Sequence, residues 1–179
     1  MRKEMLFCAA ALLLCGCGES AEERFGEWQS GLGEEFHFEA AVTALEGNRA
    51  WRFAARTANR GEETEVSLTE PGELAGLTLR CGKDDTLEYD GAVLALPQVT
   101  QDGVTPAASL PLLCRALRTG RPLRCLAGTD GALTAELRQD GTKTWVVTFD
   151  AAMTPLTAEL TEDGTTVLSC NITGFGPGG

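Results

Sequence analysis

Histidine and tyrosine each occur once in these 179 residues. With His37 as the lone imidazole, a His-based metal cluster or a Ser-His-Asp triad has no complete set of members. The chain also has no GxSxG, no HExxH, no phosphate-cradling glycine loop and no dinucleotide fingerprint. Catalysis and a bound cofactor are therefore not expected. Basic residues are scarce, 15 against 26 acidic, and the net charge of −11 disfavours nucleic acid and anionic lipid head groups. No apolar run approaches the 18 or so residues that a spanning helix needs.

The start of the chain is informative. Met1-Arg2-Lys3-Glu4 precedes the apolar run Met5–Leu14, then Cys15-Gly16-Cys17-Gly18. A basic start and a short apolar stretch have the layout of an export signal. Leu14-Cys15-Gly16-Cys17 resembles the bacterial lipobox: an apolar residue at −3, a small one at −1, then the cysteine whose thiol takes the lipid. Cys15 is the poorer choice, because bulky Leu14 occupies its −1 position. The resemblance implies a signal peptide over 1–16 and a lipoprotein anchored through acyl chains (palmitate or similar) on Cys17. The lipid bilayer is then its first partner, at the outer face of the bacterial cytoplasmic membrane. Two or three acyl chains make a stable anchor. Removing residues 1–16 leaves 163 residues, enough for one domain with a core, and lowers the net charge to −12.

Four cysteines remain beyond Cys17: Cys81, Cys114, Cys125 and Cys170. None of their spacings is CxxC, which argues against zinc or a thioredoxin-like redox site. In an oxidising compartment they are candidates for two disulfides, Cys114–Cys125 and Cys81–Cys170. A helix end, a turn and a strand start can bring the first pair within bridging distance. The alternative is four reduced thiols acting as core filler.

Periodicity supplies the fold. Ser20-Ala21-Glu22-Glu23 reads as a capping box opening a short helix, with Phe25 and Trp28 on one side and Gly31 or Gly33 as its stop. From residue 34 the period becomes two. Phe36, Phe38, Ala40 and Val42 alternate with polar partners, Gly47-Asn48 turns the chain, and Trp51, Phe53, Ala55 and Thr57 follow on one face. Strands are also predicted near 66–68, 76–81, 86–89 and 92–96, the last two divided by an Asp90-Gly91 hairpin turn. Leu110, Leu113, Cys114 and Leu117 fall at helical spacing, with Ser109 as N-cap, Pro111 in the first turn and Gly120 as the stop. Arg115 and Arg118 face away from that stripe and, with Arg121 and Arg124, form a basic island that reads as a solvated face or, alternatively, a contact for an acidic partner or phospholipid head groups. Strands resume at 123–127, 132–138, 142–149, 155–161 and 165–173, around turns at Asp130-Gly131, Asp140-Gly141 and Asp163-Gly164. Lys83-Asp84-Asp85 reads as solvated hairpin charge, and 176–179 as a flexible tail.

The expected architecture is mainly β: a curled antiparallel sheet of about 10–11 strands, an unclosed half-barrel, with an N-terminal helix and one inserted helix on the concave side. Residues 17–33 form the lipidated N-terminus, tether and short helix, and 34–175 a single domain. This order of elements, with Leu87–Leu94 and the stretch Thr154–Phe175, resembles lipoprotein carriers of the LolA/LolB type. Lipid-anchored members, germination lipoproteins among them, occur in spore-forming bacteria. The resemblance implies an apolar cavity for acyl chains under a helical lid, with Leu110, Leu113, Leu117, Phe36, Phe38, Trp51 and Phe53 as the cavity and lid residues here. Two functions follow: a non-catalytic binding or adaptor module for an envelope or spore protein, or a carrier or sensor of an apolar ligand. A roomy apolar cavity favours the second and a filled interior the first.

Overall fold

A computed structural model describes residues 19–46, 49–97, 106 and 108–178. The signal-like segment, Cys17 and the Gly47-Asn48 turn lie outside the described residues. Helix α1 (Ala21–Gly31) opens with the expected capping box: Ser20 Oγ accepts the Glu23 N–H at 3.2 Å, and Glu23 Oε2 accepts the Ser20 N–H at 2.9 Å. The Ser20 backbone N–H, with its hydroxyl second, holds the Glu23 carboxyl below the usual glutamate range.

Among the described residues eleven strands follow: β1 (Glu35–Glu46), β2 (Arg49–Arg60), β3 (Glu63–Glu70), β4 (Thr78–Cys81), β5 (Thr86–Tyr89) and β6 (Ala92–Ala95), then β7 (Pro122–Ala127), β8 (Leu133–Asp140), β9 (Lys143–Phe149), β10 (Pro155–Glu162) and β11 (Thr165–Pro177). Helix α2 (Ser109–Thr119) lies between β6 and β7. All eleven strands share one sheet in the order β6-β5-β4-β3-β2-β1-β11-β10-β9-β8-β7. Among the described residues, chain neighbours other than β6 and β7 pair antiparallel, and the one non-sequential pairing joins β1 to β11, so the first and last strands form the middle of the sheet. Because β6 and β7 remain separate edges, the sheet is an open half-barrel.

Turn chemistry sets much of this register. Asp90-Gly91 (φ 49° and 78°) and Asp163-Gly164 (φ 50° and 76°) adopt the left-handed conformations that tight hairpins require. The first sets Tyr89 opposite Ala92, and the second lies between paired Glu162 and Thr165. The expected flexible tail is a correction. Strand β11 runs on to Pro177, pairing Gly176 with His37 and Pro177 with Phe36, and the Gly178 N–H reaches Glu35 O at 2.8 Å. Phe175 explains the extension: its ring stacks on Phe36 at 5.6 Å and Phe38 at 6.0 Å and lies 6.2 Å from Trp28. That apolar contact draws the glycine-rich end into the ladder.

The inner face of the sheet holds the core. Phe36, Phe38, Ala40, Val42 and Ala44 of β1 are buried, as are Leu133, Ala135, Leu137, Trp145, Val147 and Phe149 of β8 and β9. Helix α1 closes one side, where Phe25 meets Phe149 edge-on at 6.0 Å and Trp28 does so at 4.7 Å.

Candidate functional site

Helix α2 fills the concavity. It touches β3 on one half of the sheet and β8 on the other. Leu110, Leu113, Cys114 and Leu117 are fully buried, as the spacing predicts, but Leu112 and Ala116 are buried too. The apolar stripe is thus wider than the i, i+3, i+4, i+7 pattern, because the sheet curls around the helix. Ser109 is not the N-cap. Ala108 holds that position, and the Ser109 hydroxyl instead donates to Pro106 O at 2.7 Å. At the other end, Gln29 Nε2 donates to Leu117 O and Gly120 O at 3.0 Å each, occupying carbonyls that the last turn leaves open.

Of the other expected cavity residues, Phe36 and Phe38 face inward and are buried, and Phe53 is half-buried. Trp51 is a correction, being 48% exposed. Pairing between β2 and β3 begins only at Ala54, so β3 does not run alongside Trp51. One inward group is imperfectly matched: Thr57 Oγ1 is buried without a hydrogen-bond partner among the described residues.

The four distal cysteines are buried and free. Neither expected pair is formed, and the topology shows why. Cys114 meets Thr64 and lies near Cys170, whereas Cys125 is on edge strand β7, in the field of Glu22 of α1. Cys81 on β4 and Cys170 on β11 are separated by β3, β2 and β1. Four strand steps span roughly 19 Å along the sheet, against the roughly 4.4–6.8 Å between Cα atoms that a disulfide spans. Burial pushes the Cys170 thiol up to about 12. It does the same for Cys81, reinforced by the Asp85 carboxylate and opposed by the Arg115 guanidinium. Burial also raises the Cys114 and Cys125 thiols. All four are held as neutral, weakly nucleophilic thiols.

Beside α2, at the mouth of the half-barrel, lies a cleft of about 490 Å³ between the C-terminal half of α2, the β2–β3 turn and the β4–β5 turn. Its floor is a hydrogen-bonded lattice. Thr64 Oγ1 donates to Asn59 Oδ1 at 3.0 Å, while Asn59 Nδ2 donates to Glu34 O at 2.8 Å and Gly61 O at 3.4 Å. The Arg118 guanidinium also donates to Gly61 O, so Arg118 is anchored rather than solvated. The expected basic island is split: Arg115 and Arg118 line this cleft with Lys83, while Arg124 pairs with Glu136 on β8 at 2.5 Å. Asp85, expected to be solvated, is buried and accepts the Gly82 N–H at 3.0 Å. The sequence carried no signal for this cleft, because its members come from two turns and a helix end distant in the chain. A second, apolar groove of about 420 Å³ runs between α1 and the end of β11, lined by Trp28, Leu32, Met153 and Phe175.

No family model and no curated sequence matches this chain. Solved structures do. An uncharacterised conserved protein from Thermus thermophilus is 14% identical, with 88% of each chain covered and a TM-score of 0.50. A LolA superfamily protein from Nitrosomonas europaea is 9% identical over 86% of this chain and 92% of its own, with a TM-score of 0.46. A DUF1329 family protein from Desulfovibrio piger is 10% identical over 88% and 92%, with a TM-score of 0.48. At such identities the likeness is one of fold alone: one unclosed antiparallel sheet with an N-terminal helix and an inserted helix in its concavity.

Proposed function

We propose that this chain is a lipid-anchored, extracytoplasmic binding module that works as a non-catalytic adaptor in the cell envelope or spore. One observation carries the reading. The concavity that would hold acyl chains in a carrier is occupied by the chain's own α2, which packs on β3 and β8, with Leu110, Leu113 and Leu117 at most 1% exposed in the same core as Leu137, Trp145 and Phe149. Expelling that helix to admit a ligand would expose several leucines at roughly 1.5–3 kcal/mol each. The lipobox-like Leu14–Cys17 supports the anchor. Titration with a fluorescent fatty acid tests the module: the adaptor reading expects no saturable binding, and a saturable site would establish the apolar-ligand carrier in its place. Cys17→Ser tests the anchor. It should abolish incorporation of labelled fatty acid, and persistent labelling would overturn the lipoprotein assignment.

The carrier reading has its own support in the small side chains facing α2. Ala40, Ala44, Ala55, Ala135 and Ala158 floor the concavity, and such a floor leaves room for a chain if α2 withdraws.

A further inference from the structure

We propose that the cleft between α2 and the β2–β3 turn is a binding site for a phosphate monoester group, built from Arg115, Arg118 and Lys83. This goes beyond the adaptor reading, because the cleft lies outside the filled concavity and does not require α2 to move.

Charge is the first argument. The chain carries 26 acidic residues against 15 basic ones, yet the cleft lining holds three cations and one acid, Glu62. Among the described residues none of those cations has a carboxylate within ion-pair distance, whereas Arg56, Arg80, Arg124 and Lys143 all do. Among the lining side chains the cations exceed the acids by two, a local reversal of the chain's charge that suits an anion of the phosphate type. Phosphate monoesters approach the dianion at neutral pH, their second pKa being about 6.

Geometry is the second. The cations approach the cleft from different elements, Lys83 from the β4–β5 turn and the two arginines from successive turns of one helix face. A tetrahedral oxyanion can accept from several directions at once, while a planar carboxylate is satisfied by a single guanidinium fork. The site is also partly preorganised. Asn59 and Thr64, both buried, fix the Gly61 carbonyl that anchors Arg118. One edge of that guanidinium is thereby occupied, and its other donors are available to the cleft. The buried Asp85 carboxylate, which accepts the Gly82 N–H and acts on Cys81 of the lining, offsets part of this positive charge from behind the turn.

The same chemistry could arrive on a soluble metabolite or on a lipid head group. Isothermal titration of the full mature protein at fixed ionic strength, with inorganic phosphate as the soluble probe, should give saturable one-site binding that weakens as pH falls and the dianion protonates. Arg115→Gln and Lys83→Gln should each weaken it about tenfold or more, and Arg52→Gln, exposed on the outer face of β2, should leave it unchanged. Both site variants alter exposed side chains, and an unchanged melting curve would confirm that they fold. Arg118→Lys keeps the charge but loses the fork, and should weaken binding as well. Vesicles containing phosphatidic acid, compared with phosphatidylcholine alone, form the second arm. Binding to both phosphate and these vesicles assigns a lipid source, and binding to soluble phosphate alone a soluble one. No saturable binding of phosphate, wild-type affinity in Arg115→Gln, or vesicle binding without phosphate binding would each overturn the site.

Discussion

The two wings of the sheet are built differently. In the wing formed by β8–β10, Leu133, Leu137, Trp145, Val147, Phe149 and Leu160 are all completely buried. In the opposite wing, β6 has no buried residue, and Val93 and Leu94 are 63% and 61% exposed. Both wings are antiparallel hairpins with Asp-Gly turns, so local sequence does not separate them. Helix cover does. Helix α1 packs on β7 and on α2, and α2 bridges β8 and β3. Beyond β3, strands β4–β6 continue the sheet, and among the described residues no helix packs extensively on them. Sheet membership and burial are thus separate properties in this fold, and most of the stability should reside where the helices sit.

The largest expected effects break that contrast open. Trp145→Ala should cost about 3–5 kcal/mol and Leu113→Ala about 2–5 kcal/mol in urea unfolding, since each leaves a cavity in a fully packed core. Leu94→Ala should stay within about 0.5 kcal/mol. Comparable losses in both wings would show that β5–β6 is held as firmly as the core.

The thiols provide an intermediate effect with a pH signature. The folded state raises the Cys81 and Cys170 thiols to about 12 from the ordinary thiol value of about 9. Folding therefore favours the protonated form, and the unfolded chain ionises first. The associated stability is fully present below about pH 9 and is lost as pH rises from there through about 12. Urea midpoints across that range should fall for wild type and fall less for Cys170→Ala. Equal slopes would contradict free, buried thiols.

Smaller effects follow at single polar groups. Ser20→Ala removes the α1 cap and should cost about 0.5–2 kcal/mol. Thr57→Val removes a buried hydroxyl that has no partner among the described residues, and should stabilise by up to about 1 kcal/mol. A loss on that substitution, read from the same unfolding curves, would mean that the hydroxyl is satisfied in solution.

Much of this was legible in the sequence because the signals were local. Asp90-Gly91 located β5 and β6, the alternation from Phe36 to Val42 identified the inner face of β1, and Ser20 with Glu23 marked the start of α1. Errors arose where a distant element decided the outcome. Trp51 keeps the period of β2, but the point at which β3 begins to pair leaves it outside. Phe175 was hidden in a glycine-rich tail whose fate depends on Phe36 and Phe38, nearly 140 residues earlier. The cleft was illegible for the same reason. Lys83 and Arg115 carry no shared motif, and only the passage of α2 over β3 brings their elements together.

The central claim is that α2 is part of the core and not a lid. Native-state hydrogen exchange tests it directly. The amides of Leu113–Leu117 should open with the same free energy as those of Trp145–Phe149, close to that of global unfolding, while Ala92–Ala95 exchange sooner. Exchange of the α2 amides well ahead of a still-protected β9 would contradict the account and show a helix that lifts from an otherwise folded sheet.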